Sequence, residues 1–381
     1  MGPYEARNRF YRMIILYPFV LCGIMLCPLI AHGEDAITYT GDGTDLQQLI
    51  DRAADHAIIE CDASATLTLS QPLTIRRPLT LQGLHAQLPE KLGRTSLIEV
   101  YAEGVVLRDL ELHGNYDSVS QDERSPLIWI ARGDFLVERC RLFDGSKDGV
   151  MITPEPEQGD LIGGVVRDIE AFRMGRDAVS ISGGNQGAKV RNVTVENVRL
   201  EKGYHRGAVE VSDGTEDIVV REVHAEQCVY AVDVQDHKKN SAANVDILLD
   251  SITAVDCTHI VRTANSPRDH TGLVLRNLVA TRCTQPLKIS HTRNVVIDGV
   301  RIEEHAIDAS PPVQLHNCND VSIAGVEIVE SDYAGESHRC NECTDVNITA
   351  NEPKSNQPLD GFERSPESAA QRHFRTEDDS Q

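Results

Sequence analysis

The sequence is short of aromatic residues and of positive charge. Phe, Trp and Tyr make up 4% of 381 residues, with a single Trp, and 37 Lys and Arg stand against 59 Asp and Glu, a formal charge of −22. A nucleic acid is held mainly by Lys and Arg on its phosphates, so this balance excludes nucleic acid as a partner. An anionic sugar polymer stays open, provided cations or a local basic patch line its site. Scarce aromatics weigh against a broad surface for stacking sugars. Linker-like composition is missing between about residues 36 and 350, which predicts one large domain over 34–350.

The first 33 residues differ from the rest. Arg7, Arg9 and Arg12 precede an apolar run from Met13 to Ile30, and Ala31-His32-Gly33 offers small residues for cleavage. That pattern predicts a secretory signal over 1–33 and a secreted or periplasmic protein with no stable membrane span after cleavage. An uncleaved membrane anchor is the alternative reading of the same run. Removal of three Arg and one Glu with this segment makes the charge more negative still. Eight cysteines then remain, an even number that permits disulfides in an exported chain without requiring them.

What the sequence has in abundance is a repeat. The template apolar-x-apolar-x-x-apolar-x-apolar begins at Leu79, Val105, Phe135, Gly164, Val193, Ile218, Ile247, Leu273, Val295 and Val321, with a frayed copy at Val346. Alternation of period two, interrupted once by two polar or small residues, reads as strand, bend, strand. A further V-x-V strand follows most copies, as in Ile128-Trp129-Ile130, Val209-Glu210-Val211 and Val261-Arg262-Thr263. Short strands recurring every 22 to 30 residues describe one turn of a β-solenoid, in which alternate residues fill a continuous core. The fold expected is all-β, a right-handed parallel β-helix of about ten turns.

Several polar residues fit this stacking better than they fit chemistry. Asp109, Asp168, Asn197, Glu222 and Asn277 share the bend position, where a polar side chain can bond the turn backbone. Cys228, Cys257 and Cys283 each lie four residues before a V-x-V strand, which predicts a buried column of thiols. Cys340 and Cys343 have half of a zinc-knuckle spacing with no second half, so a local disulfide or two free thiols is expected. Residues 44–54 read as an amphipathic helix, capped by Thr44, that plugs the first turn. The segment 351–381, rich in Pro, Ser, Glu and Asp, reads as a disordered acidic tail.

A Gly41-Asp-Gly-Thr-Asp45 segment before a cap helix, followed by turns reading Asn192-Val-Thr-Val-Glu-Asn-Val198 and Asp177-Ala-Val-Ser-Ile181, resembles the pectin-lyase-like superfamily of polysaccharide lyases and polygalacturonases. The resemblance covers about residues 37–350 and implies function on the exposed side of one sheet, with a polysaccharide as partner. The outward residues of the V-x-V strands run Trp129, Met151, Ser180, Glu210, Asp233, Arg262, Lys288, Gln314. Two acids followed by two cations are unlike an inert face. Asp148, Asp177, His205, Arg206, Asp213, Asp236, His237, His259 and His291 flank them at strand ends.

Similarity to the calcium-dependent lyases implies β-elimination of a uronate polymer. Glu210 and Asp233, with Asp213 or Asp236, would offer hard oxygens to Ca²⁺, and Arg262 or Lys288 would act as base or stabilise the enolate-like intermediate. A ladder of ion pairs between turns is the bland account of the same charges. Similarity to polygalacturonases implies hydrolysis instead, with Asp148 and Asp177 as acid and base and His205 orienting them. This chain departs from that pattern. Arg176 replaces the first member of the Asp-Asp pair, and Val232-Asp-Val234 stands where Arg-Ile-Lys is expected. A carbohydrate-binding module without catalysis would need only a groove and a platform, for which Trp129, Tyr204 and Tyr230 are candidates, with Arg206 and His237 as polar contacts.

Overall fold

A computed structural model describes residues 36–349 other than 185–186, 238–241, 264–268 and 307–308. The segments expected to be a signal and an acidic tail lie outside these residues. The described chain is a parallel β-solenoid of about twelve turns with one short helix. Two more turns than the repeat suggests arise at the ends. There, strands such as Ile58–Cys61 and Thr344–Thr349 join the stack without keeping the full template.

Each turn contributes a strand to one long sheet and, in most turns, a shorter strand to a second sheet of eleven, all paired in parallel. The template positions point inward as the spacing predicts. Leu79, Leu81, Leu84 and Ala86, then Val105, Leu107, Leu110 and Leu112, are buried, and the same holds for later copies up to the one at Val321, where Val326 and Ile328 are only partly buried. Each buried Leu, Ile or Val stabilises the stack by about 1.5–3 kcal/mol relative to exposure, and a residue that fits one turn meets its own kind in the next.

The bend is a backbone feature. Asp109, Asp168, Asn197, Glu222 and Asn277, with Arg139 and Ser251 in the equivalent positions, all have φ between 50° and 57°. The left-handed region is tolerated best by short polar residues, which explains their column without recourse to chemistry. The thiol column is also present: Cys228, Cys257 and Cys283 are buried and free, each donating to the carbonyl two residues earlier at 3.1, 3.3 and 3.7 Å. Cys340 and Cys343 are free thiols as well.

At the N-terminal end the helix Leu46–Arg52 buries Leu46 and Ile50, and Gln47 pins it to the first turn by accepting from the Thr74 N–H at 2.8 Å and donating to the Thr74 carbonyl at 3.0 Å. The cap residue is Asp45 rather than Thr44. Asp45 is engaged by the Tyr39 hydroxyl at 2.8 Å, and the Thr44 hydroxyl turns to Asp42 at 2.7 Å. No helix among the described residues is long and apolar enough to cross a membrane.

Candidate functional site

The outward residues of the second sheet form the column read from the sequence, in register from Glu99 and Trp129 through Met151, Ser180, Glu210, Asp233, Arg262 and Lys288 to Gln314. Residues just before these strands lie in the turns along one edge of the column. Asp148, Asp177 and His205–Arg206 therefore come from successive turns, as their spacing predicts.

The charges do not form a simple vertical ladder. Glu210 is buried and collects donors from four residues: Arg206, Arg176 at 3.4 Å, Gln235 at 2.8 Å and the Ser212 hydroxyl at 3.0 Å. Asp233 is held in a two-pronged contact by Arg262, whose Nε lies 3.1 Å from Oδ1 while Nη2 reaches Oδ2. Burial pushes the Asp233 carboxyl upward, and the Arg262 fork pulls against it. For Arg262, desolvation opposes the charge, but Asp233 outweighs it and holds the guanidinium above its ordinary value. Arg262 is thus held as a cation by Asp233. Asp213 is buried too, accepting from the His237 backbone N–H at 2.6 Å and the Ser182 hydroxyl at 3.2 Å, with the His237 Nδ1 at 3.3 Å. The other edge of the His237 ring lies 3.4 Å from Arg206 Nη2.

These carboxylates do not fit calcium. The ion takes about six to eight oxygen ligands, whereas Glu210 and Asp233 are committed to guanidinium groups. Among the described residues no group of three or more His, Cys, Asp or Glu is arranged to hold a metal.

Asp148 and Asp177 form a buried pair beneath Arg176. The Arg176 Nε is 3.4 Å from Asp148 Oδ1 and its Nη2 is 3.8 Å from Asp177 Oδ2. Asp177 Oδ1 accepts from the Tyr230 hydroxyl at 2.8 Å and from the Gly207 N–H at 3.3 Å. One oxygen of each carboxylate, Asp148 Oδ2 and Asp177 Oδ2, is buried without a hydrogen bond. Desolvation and then the charge of Asp148 push Asp177 up to about 7, against the pull of Arg176, Arg206 and the Tyr230 hydrogen bond. Gly207 makes the arrangement possible, because a Cβ there would collide with the Tyr230 carbonyl and ring. Tyr230 is fully buried under Arg262, whose guanidinium carbon is 4.9 Å from its ring centroid, and so is not a sugar platform.

A residue that sequence reasoning missed completes the edge of the groove. The stretch after Glu111–His113 leaves the solenoid and is pinned by Asn115 to the carbonyls of Pro89 and Leu92 at 3.0 and 2.7 Å, and by Ser125 to Ser146 at 3.2 Å. Tyr116 thereby reaches three turns along to stack on Tyr204, centroids 4.4 Å apart and planes 3° apart, with its hydroxyl 3.2 Å from His205 Nε2. Gly175 leaves room, since a Cβ would meet the Ser146 carbonyl and the Tyr116 ring. His205 and Lys288 are exposed, and Trp129 is half-buried. The available signal for Tyr116 was the interval from Val105 to Phe135, the longest between template copies at 30 residues.

Stacked parallel turns with a helix plug define the pectin-lyase-like parallel β-helix fold. The chain superposes on the family 28 exopolygalacturonase of Yersinia enterocolitica with a TM-score of 0.51 and 10% identity over 83% of this chain and 79% of that one. Other similar structures are the A-module of mannuronan C-5 epimerase AlgE6 of Azotobacter vinelandii (TM-score 0.49, 13% identity, 81% and 94% covered) and an alginate lyase of Paenibacillus sp. FPU-7 (0.45, 13%, 82% and 99%). At such identities the likeness is one of fold. No family model and no curated protein sequence matches the chain.

Proposed function

We propose that this protein is exported, binds a uronate-containing polysaccharide along the groove, and cleaves it by β-elimination without a bound metal. The observation that carries this reading is the layering of charge. The side chains of Arg176, Arg206 and Arg262 are 24–27% exposed, whereas those of Asp148, Asp177, Glu210 and Asp233 are 0–2% exposed. Lys147, Lys288, His205 and His237 stand at the same surface. A strongly acidic chain has here buried its carboxylates so that guanidiniums face outward, preorganised for carboxylates of a polyanion.

A guanidinium pairing with the sugar carboxylate acidifies the proton α to it, since it stabilises the negative charge that develops as that proton leaves. His205 and Tyr116, in hydrogen-bond contact at the groove surface, supply base and acid. The base takes the α-proton, a carbon–carbon double bond forms, and the glycosidic bond β to the carboxylate breaks as its oxygen leaves with a proton from the acid. The basic role thus passes from Arg262 to His205, and Lys288 extends the cationic surface.

Hydrolysis is the second reading, favoured by one observation. Asp177, raised to about 7, holds a proton near neutral pH as a general acid does, with the Asp148 carboxyl beside it. A screen of polyuronates and neutral polysaccharides, with and without a chelator, separates the readings when ultraviolet absorbance and reducing ends are followed together. Elimination gives an absorbance rise that survives chelation and drops by about 10²–10⁴-fold in His205→Gln. Reducing ends without absorbance, lost in Asp177→Asn, establish hydrolysis, and silence in both channels leaves a binding module.

A further inference from the structure

The groove changes character along its length. Trp129 is the only Trp of the chain, and it points outward on a sheet whose inward rows would be the default home of so large an apolar side chain. Its indole N–H donates to the Thr153 carbonyl at 3.2 Å, so what the ring offers the groove is apolar surface. Tyr101 meets it edge-on with centroids 5.6 Å apart. Around the pair, the Tyr101 hydroxyl donates to Glu99 at 3.1 Å, Arg76 lies 4.9 Å from the Tyr101 centroid, and Arg132 pairs with Glu155 at 3.0 Å. Two carboxylates and two guanidiniums are balanced here, whereas further along the guanidiniums lie outermost over buried carboxylates. Glu99 and Glu155 suit sugar hydroxyls as acceptors. Burial, and then the charge of Glu99, push the Tyr101 hydroxyl up to about 12, so that it stays a donor.

In register, Trp129 precedes Met151, Ser180 and Glu210, which sets it two strand spacings before the turn of Arg176, about 10 Å at ~4.8 Å per strand, and three before Glu210. We infer that the groove holds two subsites of different chemistry, a neutral-sugar subsite on Trp129 and Tyr101 and a uronate subsite at Arg176, Arg206 and Arg262, so that the polysaccharide is a heteropolymer of neutral sugars and uronates. The inference rests on reading the groove as a uronate-binding site. An aromatic ring takes the C–H face of a neutral sugar and charged side chains at its rim take the hydroxyls, while guanidiniums select the carboxylate.

The single Trp makes the test direct, because intrinsic emission reports on this subsite alone. The full chain is titrated with gellan oligosaccharides, which mix neutral sugars and glucuronate, and with oligogalacturonate and alginate oligomers, which do not. The expected result is a shift of Trp129 emission with gellan and about ten-fold tighter binding of gellan than of either homopolyuronate, from roughly the strength of one good aromatic contact. Trp129→Ala, checked for intact unfolding behaviour, removes that preference as measured calorimetrically, and Trp129→Phe keeps most of it. Homopolyuronates that bind as tightly as gellan, with emission unmoved and the preference unaltered in Trp129→Ala, overturn the two-subsite inference and leave the uronate groove standing. Failure of every oligosaccharide to bind overturns the groove reading itself, and the inference with it.

Discussion

On the long sheet one outward column runs Arg108, Glu138, Arg167, Glu196, Arg221, Asp250, Arg276, Asp298 in successive turns, changing sign at every step. On the second sheet the corresponding column runs Glu210, Asp233, Arg262, Lys288, two acids and then two cations. Turns stack at about 4.8 Å, so like charges in one column face each other at close range unless something intervenes. The long sheet solves this by alternation, and its ion pairs run between neighbours in the column, as in Glu138 with Arg108 at 3.4 Å and with Arg167 at 2.5 Å, while the bend residue Arg139 adds a contact to Glu138 at 2.8 Å. On the second sheet Glu210 draws compensating charge from the turns, from Arg206 and Arg176, while Asp233 pairs within the column with Arg262. Alternation is how a solenoid makes an inert face. The second sheet departs from alternation at Glu210 and Asp233 and again at Arg262 and Lys288.

Breaking a pair in each column gives the plainest contrast. Arg262→Ala leaves Asp233 buried without its partner and is expected to cost about 3–5 kcal/mol in denaturant unfolding. The double variant Arg262→Leu/Asp233→Val recovers most of it, because no charge is left behind. A loss under about 1 kcal/mol in the single variant would place this pair with the ordinary surface ladder.

The next effect is one of pH. Asp177 has a folded pKa near 7 against about 3.9 in an unfolded chain, so the folded state binds the extra proton. Its contribution to stability is fully present below about pH 4 and is lost as pH rises through about 7. Thermal unfolding of the natural protein relative to Asp177→Asn should therefore worsen from pH 4 to pH 8, with most of the change before pH 7. A constant difference would show that Asp177 is ionised throughout. The smallest effect belongs to the long sheet: Arg221→Ala, whose side chain is 43% exposed beside Glu196, should cost no more than about 1 kcal/mol, shrinking with salt.

Much of the fold is legible in the sequence because stacking forces the same inward residues on every turn, and Leu79-x-Leu81-x-x-Leu84-x-Ala86 states the rule that later copies obey. The order of the groove column is legible for the same reason, since a V-x-V strand has one outward residue. Partnership is not legible. Glu210 and Asp233 as bare letters look like ligands for a cation, and only packing reveals that Arg206, Arg176 and Arg262 are already there. Tyr230 looks like an edge platform until Gly207, with no side chain of its own, lets the ring slide beneath Arg262 to Asp177. Tyr116 escapes notice because its contacts lie with Tyr204 and His205, about ninety positions later, through a loop that obeys no repeat.

Because every turn advances by one strand spacing, the solenoid is a ruler graduated in fixed steps. The separation between Trp129 and the guanidinium cluster, which begins with Arg176 in the Ser180 turn, is set by the Met151 turn between them. It cannot drift by fractions; it changes only when a whole turn is gained or lost. Ligand preference in such a molecule is therefore revised in jumps, each moving one end of the groove by a single graduation while both sets of side chains stay intact.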